Sequence, residues 1–271
     1  MSLHTRILLL NLAVLLLLTL LLWIVSLRKR DASIADQFWG VGFVIVAWLT
    51  ACVVDQIHSV DWTVLGLVTI WGFRLAGYLT WRKRGKGEDR RYAEMRRQHG
   101  GRFWWLSLFT VFILQGVLIW FISLPVQATL WAANGNHIQW ISDIGIALCV
   151  FGTSYEAVAD LQLARFKAVL GNQRRVMDQG LWRFSRHPNY FGDFCVWWGF
   201  YLVAASAGAA WSIASPLAMS LLLLRISGVS LLESTISDRR PEYDNYKRTT
   251  NAFFPWRPRP CLEPGGKRRE K

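Results

Sequence analysis

Seven apolar segments dominate this chain and favour a helical membrane fold over a soluble one. Hydrophobic residues make up 53% of the 271 residues, and the mean hydropathy is +0.24. A helix needs about 20 apolar residues to cross a hydrocarbon core of about 30 Å, and most of these segments reach or approach that length. The predicted spans are Arg6–Leu27, Phe38–Val54, Trp62–Trp81, Phe103–Leu124, Ile138–Ala164, Tyr190–Ala205 and Trp211–Ser234.

The basic residues alternate between the connections of these spans. Of 31 lysines and arginines, 28 lie in the segments 28–30, 82–102, 165–186 and 239–271, whereas the loops 55–61, 125–137 and 206–210 carry none. Cytoplasmic loops carry an excess of lysine and arginine, so the pattern orients the chain. We predict an all-α polytopic membrane protein with seven transmembrane helices, an outside N-terminus and a cytoplasmic C-terminus.

The domain organisation follows from the same pattern. Residues 1–256 are predicted to form one membrane domain, and residues 257–271 a basic flexible tail. The net charge of +13 is spread over four cytoplasmic segments, and no nucleic-acid-binding module accompanies it. Membrane topology therefore explains the charge, and nucleic acid is not an expected partner. The four cysteines are far apart and lack metal-ligand spacing, so no metal site is predicted.

Ionisable and amide side chains interrupt the apolar segments. Such groups are costly in a membrane, so they either pair with one another or bind a polar ligand. The sequence contains no zinc signature, Walker loop, nucleophile elbow or dinucleotide-binding glycine motif. A nucleotide site would therefore have to be built from helix ends and loops. The intramembrane polar residues are Asp36, Gln37, Arg74, Glu156, Asp160, Asp193, Arg225 and Glu233.

The stretch Gly180–Gly192 combines cations, an amide and turn-forming residues at the start of an apolar segment. Arg183 and Arg186, with Asn189 at a helix start, are groups that an anionic, phosphate-bearing ligand needs. A basic loop that contacts lipid phosphates is the alternative reading.

Five motifs occur in order between Asp36 and Pro255. Together they resemble the bacterial, DUF1295-like branch of the steroid 5α-reductase family, within a superfamily that includes isoprenylcysteine carboxyl methyltransferases and sterol reductases. The motifs are Glu88–Tyr92, Asp160–Phe166, Arg186–Gly192 with Trp197–Gly199, Arg225–Glu233 and Tyr243–Pro255.

This resemblance implies a seven-helix enzyme of the bacterial inner membrane that uses NADPH from the cytoplasm. The expected substrate is a lipophilic, steroid-like enone that arrives through membrane lipid, and the reaction is reduction of its C=C bond. By the same resemblance, Asn189 and Asp193 lie near the nicotinamide and Asp160 near a ribose. The predicted cofactor-binding residues are Arg82, Arg84, Lys86, Arg91, Tyr92, Glu156, Asp160, Arg165, Lys167, Arg174, Arg175, Arg186, His187, Asn189, Tyr190, Asp193, Arg225 and Glu233.

The catalytic positions depart from the family pattern. Animal members carry Gln-Glu early in the second span and a tyrosine in the third, which together polarise the ketone. The matching positions here hold Asp36-Gln37 and Trp71. A protonated Asp36, the Gln37 amide and the Trp71 indole are therefore the three candidate hydrogen-bond donors.

Two other functions fit the same sequence. An S-adenosylmethionine-dependent membrane methyltransferase shares the Arg-His-Pro loop, although the many basic residues favour a ligand with phosphates. A non-catalytic lipid-binding protein would pair its intramembrane charges only with one another.

Overall fold

The computed structural model describes residues 2–132, 137–172, 175–226 and 242–259. Within these ranges the regular structure is helical, without a strand, which confirms the all-α prediction. The chain forms two compact units: Met1–Ile146 with Phe200–Ser215, and Ala147–Gly199 with Pro216–Lys271. The single domain over residues 1–256 stays a prediction, and the tail beyond Arg259 lies outside the described residues.

The first unit begins with three long helices and continues through a bent helical run. A 3₁₀ turn at Gly100–Arg102 and a π-helical stretch at Leu108–Ile113 interrupt that run. The helices are α1 (Leu3–Lys29), α2 (Ile34–Val53), α3 (Ser59–Lys83), α4 (Arg90–His99), α5 (Phe103–Ser107), α6 (Leu114–Ile122) and α7 (Leu124–Leu130).

The chain passes into the second unit within the next helix, returns to the first unit, and leaves it again. These helices are α8 (Gln139–Ala168), α9 (Pro188–Ser206), α10 (Ala214–Leu221) and α11 (Glu242–Thr249). A 3₁₀ turn at Gly180–Arg183 precedes α9, another at Ala210–Ile213 precedes α10, and a π-helical turn at Leu222–Ile226 follows α10.

Five helical segments among the described residues are long and apolar enough to cross a bilayer, which indicates a multi-pass membrane protein. They correspond to the first five predicted spans. The sixth predicted span coincides with α9, which has 19 residues but is not among the five. The seventh begins in the shorter apolar helix Ala210–Arg225, and its end lies outside the described residues. The five segments are Leu3–Lys29, Ile34–Val53, Ser59–Lys83, Arg90–Ile122 and Gln139–Ala168.

A buried amide network joins three helices of the first unit. Asn11 Nδ2 of α1 donates to Thr50 Oγ1 of α2 and to Gln127 Oε1 of α7, both at 2.9 Å. Gln127 Nε2 in turn donates to Ser123 Oγ at 2.9 Å. Because hydrocarbon offers no competing partners, such interhelical bonds hold apolar helices in one register.

Close backbone packing brings α2 against α3. A Cβ atom added at Gly72 would lie 2.6 Å from the Gly40 carbonyl oxygen and 2.6 Å from Val44 Cγ2. Any side chain at this position would therefore push the helices apart. Small residues at such crossings are typical of membrane helices, whose association depends on tight packing.

Close backbone packing at glycine also brings α8 against α9 in the second unit. A Cβ atom added at Gly152 would lie 2.5 Å from the Gly192 carbonyl oxygen, and one at Gly192 would lie 2.7 Å from Glu156 Cβ. The crossing therefore places the middle of α8, including Glu156, directly beside the first turns of α9.

Replacing Gly72 by alanine is expected to lower the free energy of unfolding by about 1–3 kcal/mol, because the added methyl group overpacks the crossing. Gly66→Ala and Gly77→Ala are matched controls on α3, since a Cβ atom there meets nothing within 4 Å. These controls should leave stability unchanged or slightly improved, because alanine favours helix. Thermal unfolding in detergent measures all three variants, and equal stability of Gly72→Ala and Gly66→Ala would contradict the close crossing.

Candidate active site

The predicted catalytic residue Asp36 lies in the first turn of α2 and accepts hydrogen bonds from three side chains. Arg91 Nη2 donates to Oδ2 at 2.7 Å, and the Tyr92 hydroxyl donates to Oδ1 at 2.6 Å. Gln115 Nε2 lies 3.4 Å from Oδ1. We call Asp36, Arg91, Tyr92 and Gln115 the Asp36 cluster.

Apolar packing fixes the position of the Tyr92 hydroxyl. Tyr92 belongs to a buried cluster with Ala35, Phe103 and Phe112, so its ring has little freedom. The Arg91 guanidinium lies 5.4 Å from the centre of the same ring. A rigid ring presents its phenol at a defined point, as an electrostatic catalyst must.

The hydrogen bonds of the Asp36 cluster use both carboxylate oxygens of Asp36 as acceptors. Arg91 is always a donor, and its fork can neutralise the charge of Asp36. The protonated form of Asp36 stays a prediction. Tyr92 supplies the O–H donor of the cluster, and Arg91 supplies its charged N–H donor.

The other two predicted catalytic residues lie on the same pair of helices. Gln37 follows Asp36 on α2 and is half-buried. Trp71 on α3 is fully buried, and its ring meets Phe43 edge-on with 5.5 Å between centres. Phe43 is about 10 Å beyond Asp36 along the axis of α2, so this Trp71 contact lies about two turns away. Their catalytic roles stay predictions.

The Glu88–Tyr92 motif binds the turn between α1 and α2. Glu88 accepts from the Ala32 backbone at 2.8 Å and from Arg96 Nε and Nη2 at 2.9 and 2.8 Å. The Asp89 backbone N–H donates to Ser33 Oγ at 2.7 Å. The two acidic residues thereby hold the start of α2, and with it Asp36, against the start of α4.

Asp31 and Asp89 are two further carboxylates at the contact between the α1–α2 turn and the start of α4. Burial raises the pKa of Asp31, but hydrogen bonds from Lys83 and Ser33 outweigh it and leave the pKa below its usual 3.8. At Asp89, burial is likewise outweighed by hydrogen bonds from Arg91, and its pKa is also lowered from 3.8. Both carboxylates are therefore charged at neutral pH.

The second unit contains a separate group of polar residues, which we call the α8–α9 polar cluster: Glu156, Asp160, Asn189 and Asp193. Asn189 Nδ2 donates to Asp160 Oδ1 at 3.3 Å. The three carboxylates are buried, and the close crossing at Gly192 sets Glu156 beside the start of α9. Asn189 and Asp160, which are 29 positions apart in the sequence, are therefore in contact.

The Arg-His-Pro motif holds the C-terminal segment of the second unit. Arg186 Nη1 donates to the carbonyls of Lys247 and Thr250 at 3.0 and 2.6 Å, and its backbone N–H donates to Asn251 at 2.9 Å. A cation at the end of α11 complements the helix dipole. The His187 ring stacks on Tyr190 with 5.5 Å between centres. Two motifs that the sequence presents separately are therefore in contact.

Arg186 is buried, whereas the other predicted cofactor-binding lysines and arginines are exposed where the structure describes them. Arg82 lies over the Tyr78 ring at 5.6 Å. Arg174 and Glu233 lie outside the described residues. The other exposed cations of the prediction are Arg84, Lys86, Arg91, Arg165, Lys167, Arg175 and Arg225.

Sequence reasoning missed three residues of these sites. It did not identify Gln115, or Asp31 and Ser33, which fix the turn before α2. The π-helical stretch Leu108–Ile113 directly precedes Gln115. An irregular turn of this kind shifts the helix face in a way that apolar periodicity does not show.

Comparison with known proteins places both clusters within a recognised family region. A family model described as "Protein of unknown function (DUF1295)" matches residues 22–250, as the resemblance predicted at that level. An uncharacterized protein of Schizosaccharomyces pombe is 26% identical over 264 residues, which cover 86% of this chain and 75% of the yeast protein. No solved structure matches the chain significantly.

The lowered pKa of Asp89 predicts a defined pH dependence. Its stabilising contribution is present above its usual pKa of 3.8 and is lost as the pH falls through the lower folded value. Between about pH 5 and about pH 3, Asp89→Asn should therefore lose less thermal stability than the wild type, after starting from a lower value. The exposed Asp55→Asn serves as the matched control. An identical pH dependence in Asp89→Asn and wild type would contradict the assignment.

Proposed function

We infer the function from one premise: the chain belongs to the DUF1295 family. We propose that it is an NADPH-dependent membrane reductase that transfers hydride to the C=C bond of a lipophilic enone, with a 3-oxo-Δ4-steroid as the model substrate. The observation that carries the proposal is the Tyr92 hydroxyl at 2.6 Å from Asp36, with Arg91 on the other carboxylate oxygen. This pair is similar to the acidic residue and tyrosine that polarise the ketone in the animal members, although here the tyrosine comes from α4 and not from the third span.

The residues of the second unit suit a dinucleotide in their chemistry. Buried carboxylates such as Asp160 can accept from ribose hydroxyls, and the Asn189 amide can bond a carboxamide. Exposed cations near the end of α8, including Arg165 and Lys167, can neutralise phosphates. NADPH, when bound, supplies the hydride for the β-carbon of the enone.

The Asp36 cluster has a separate role in this proposal. Negative charge builds up on the ketone oxygen as the β-carbon is reduced, and a fixed donor stabilises it. Tyr92 is the proposed donor, held by its buried ring. Its single hydroxyl proton bonds Asp36 Oδ1 in the structure and would turn from Asp36 to the ketone oxygen when the substrate binds. One well-aimed donor lowers such a barrier by about 3–4 kcal/mol. The α-carbon then takes a proton from solvent or from an acidic side chain.

The proposed topology follows the alternation of basic and uncharged loops. Seven spans would leave the N-terminus outside and the C-terminus in the cytoplasm of a bacterial inner membrane. The Glu88–Tyr92 motif and the Arg-His-Pro motif both lie in segments that this topology assigns to the cytoplasmic side, where NADPH is available.

Replacing Tyr92 by phenylalanine should lower kcat by about 100-fold or more, because it removes the donor and keeps the ring. NADPH oxidation in the presence of a 3-oxo-Δ4-steroid measures the effect, and NADPH affinity should change little. Tyr78→Phe is the matched control, since it keeps the ring beneath Arg82 and should retain activity. Full activity of Tyr92→Phe would remove this residue from the mechanism.

Replacing Asn189 or Asp193 by alanine should abolish NADPH-dependent turnover while leaving a folded protein that detergent extracts. Isothermal titration with NADPH, and separately with S-adenosylmethionine, measures the loss of binding directly. Wild-type protein that binds S-adenosylmethionine and not NADPH would favour the methyltransferase instead. Full turnover in both variants would overturn the assignment of the α8–α9 polar cluster.

A further inference from the structure

An open groove on the second unit is separate from the polar residues assigned above. Its volume is about 410 Å³, within the roughly 300–1,000 Å³ of small-ligand sites. The lining residues are Tyr155, Leu181, Phe184, Pro255, Trp256 and Arg257. The walls are thus aromatic and aliphatic, and the lining contains one cation and no carboxylate.

Hydrogen bonds join the two segments that supply most of the lining of this groove, residues 181–184 and residues 255–257. The Trp256 backbone N–H donates to the Phe184 carbonyl at 3.0 Å. One residue further along, Ser185 Oγ donates to the Phe253 carbonyl at 2.7 Å. The Tyr246 hydroxyl also donates to the Trp182 and Ser185 carbonyls. These hydrogen bonds hold the two segments together, so the groove is a fixed feature of the fold.

The rim of the groove is both aromatic and basic. The Trp256 side chain is 73% exposed and that of Phe254 59% exposed. Three exposed arginines lie in or next to these two segments: Arg183, Arg257 and Arg259. Tryptophan and arginine side chains together are typical of the boundary between hydrocarbon and water, where the ring is buried among acyl chains and the cation meets phosphate.

Charge and polarity together select the class of ligand. A soluble anion would not need the aromatic and aliphatic lining, and a neutral sterol or enone would not need the cations. An amphiphile with an anionic head uses both, because the arginine fork matches phosphate oxygens and the aromatic walls cover the first acyl carbons.

We propose that this groove is a binding site for one anionic phospholipid, with its phosphate at Arg257 and its acyl chain against Trp256, Phe184 and Tyr155. The site is independent of the proposed reductase activity. It would anchor the C-terminal segment of the second unit at the membrane surface.

Native mass spectrometry of the full-length, delipidated protein in detergent tests this site. Phosphatidylglycerol is titrated, phosphatidylcholine serves as the neutral lipid, and excess inorganic phosphate serves as the competitor. The wild type should bind one phosphatidylglycerol in preference to phosphatidylcholine, and phosphate should not displace it. Arg257→Ala should weaken this binding by about five-fold, the effect of one basic side chain near an anionic surface. Arg257→Lys should restore part of it.

Two tryptophan variants test the aromatic part of the site. Trp256→Ala should also weaken binding, whereas Trp140→Ala, at a comparable 66% exposure on α8, should not. All variants should bind NADPH like the wild type, so failure of the lipid site and failure of the proposed reductase are distinguishable. Equal phosphatidylglycerol binding in wild type, Arg257→Ala and Trp256→Ala would overturn the proposal. So would displacement of the lipid by a 3-oxo-Δ4-steroid, or a dimer formed through this face.

Discussion

The pairing of charges at the ends of apolar helices is the constraint on which the rest of this structure depends. An unpaired charge next to hydrocarbon costs several kcal/mol, so each carboxylate there needs a partner. Asp36 meets this need through Arg91 and Tyr92, and Glu88 meets it through Arg96. These bonds fix the turn before α2 to the start of α4. In the proposed reductase, the same bonds would hold the Tyr92 hydroxyl in one place.

In the second unit, close backbone contact brings the buried carboxylates next to their polar neighbours. Gly152 and Gly192 let α8 and α9 approach until Glu156 lies beside the first turns of α9. Asp160 then accepts from Asn189, and Arg186 holds the carbonyls at the end of α11. Part of the basic motif at the start of α9 therefore serves the fold. The exposed cations at the end of α8 remain the better candidates for phosphate binding.

Several features were readable from the sequence for clear physical reasons. Apolar length is readable from sequence, so the first five predicted spans coincide with helices that are long and apolar enough to cross a bilayer. Polar residues within such spans are rare, so Asp36 and Asp160 stood out. Span six was harder, because α9 has only 19 residues and carries Asn189 and Asp193 in its first turns.

The partner of Asp36 could not be found in this way. Aligning the third span on Arg74 points to Trp71, but the tyrosine hydroxyl that meets Asp36 comes from α4, 56 positions along the chain. Helical periodicity shows which residues share a face and does not show which helix supplies a contact. The π-helical stretch before Gln115 adds a change of face that no repeat in the sequence signals.

Transfer of deuterium tests the central claim most directly. Detergent-purified protein is incubated with NADPH labelled with deuterium at C4 and a 3-oxo-Δ4-steroid, and the product is analysed by mass spectrometry and NMR. The account predicts a saturated ketone carrying one deuterium at the carbon β to the carbonyl. Unchanged steroid, or a product without deuterium at that carbon, would contradict it.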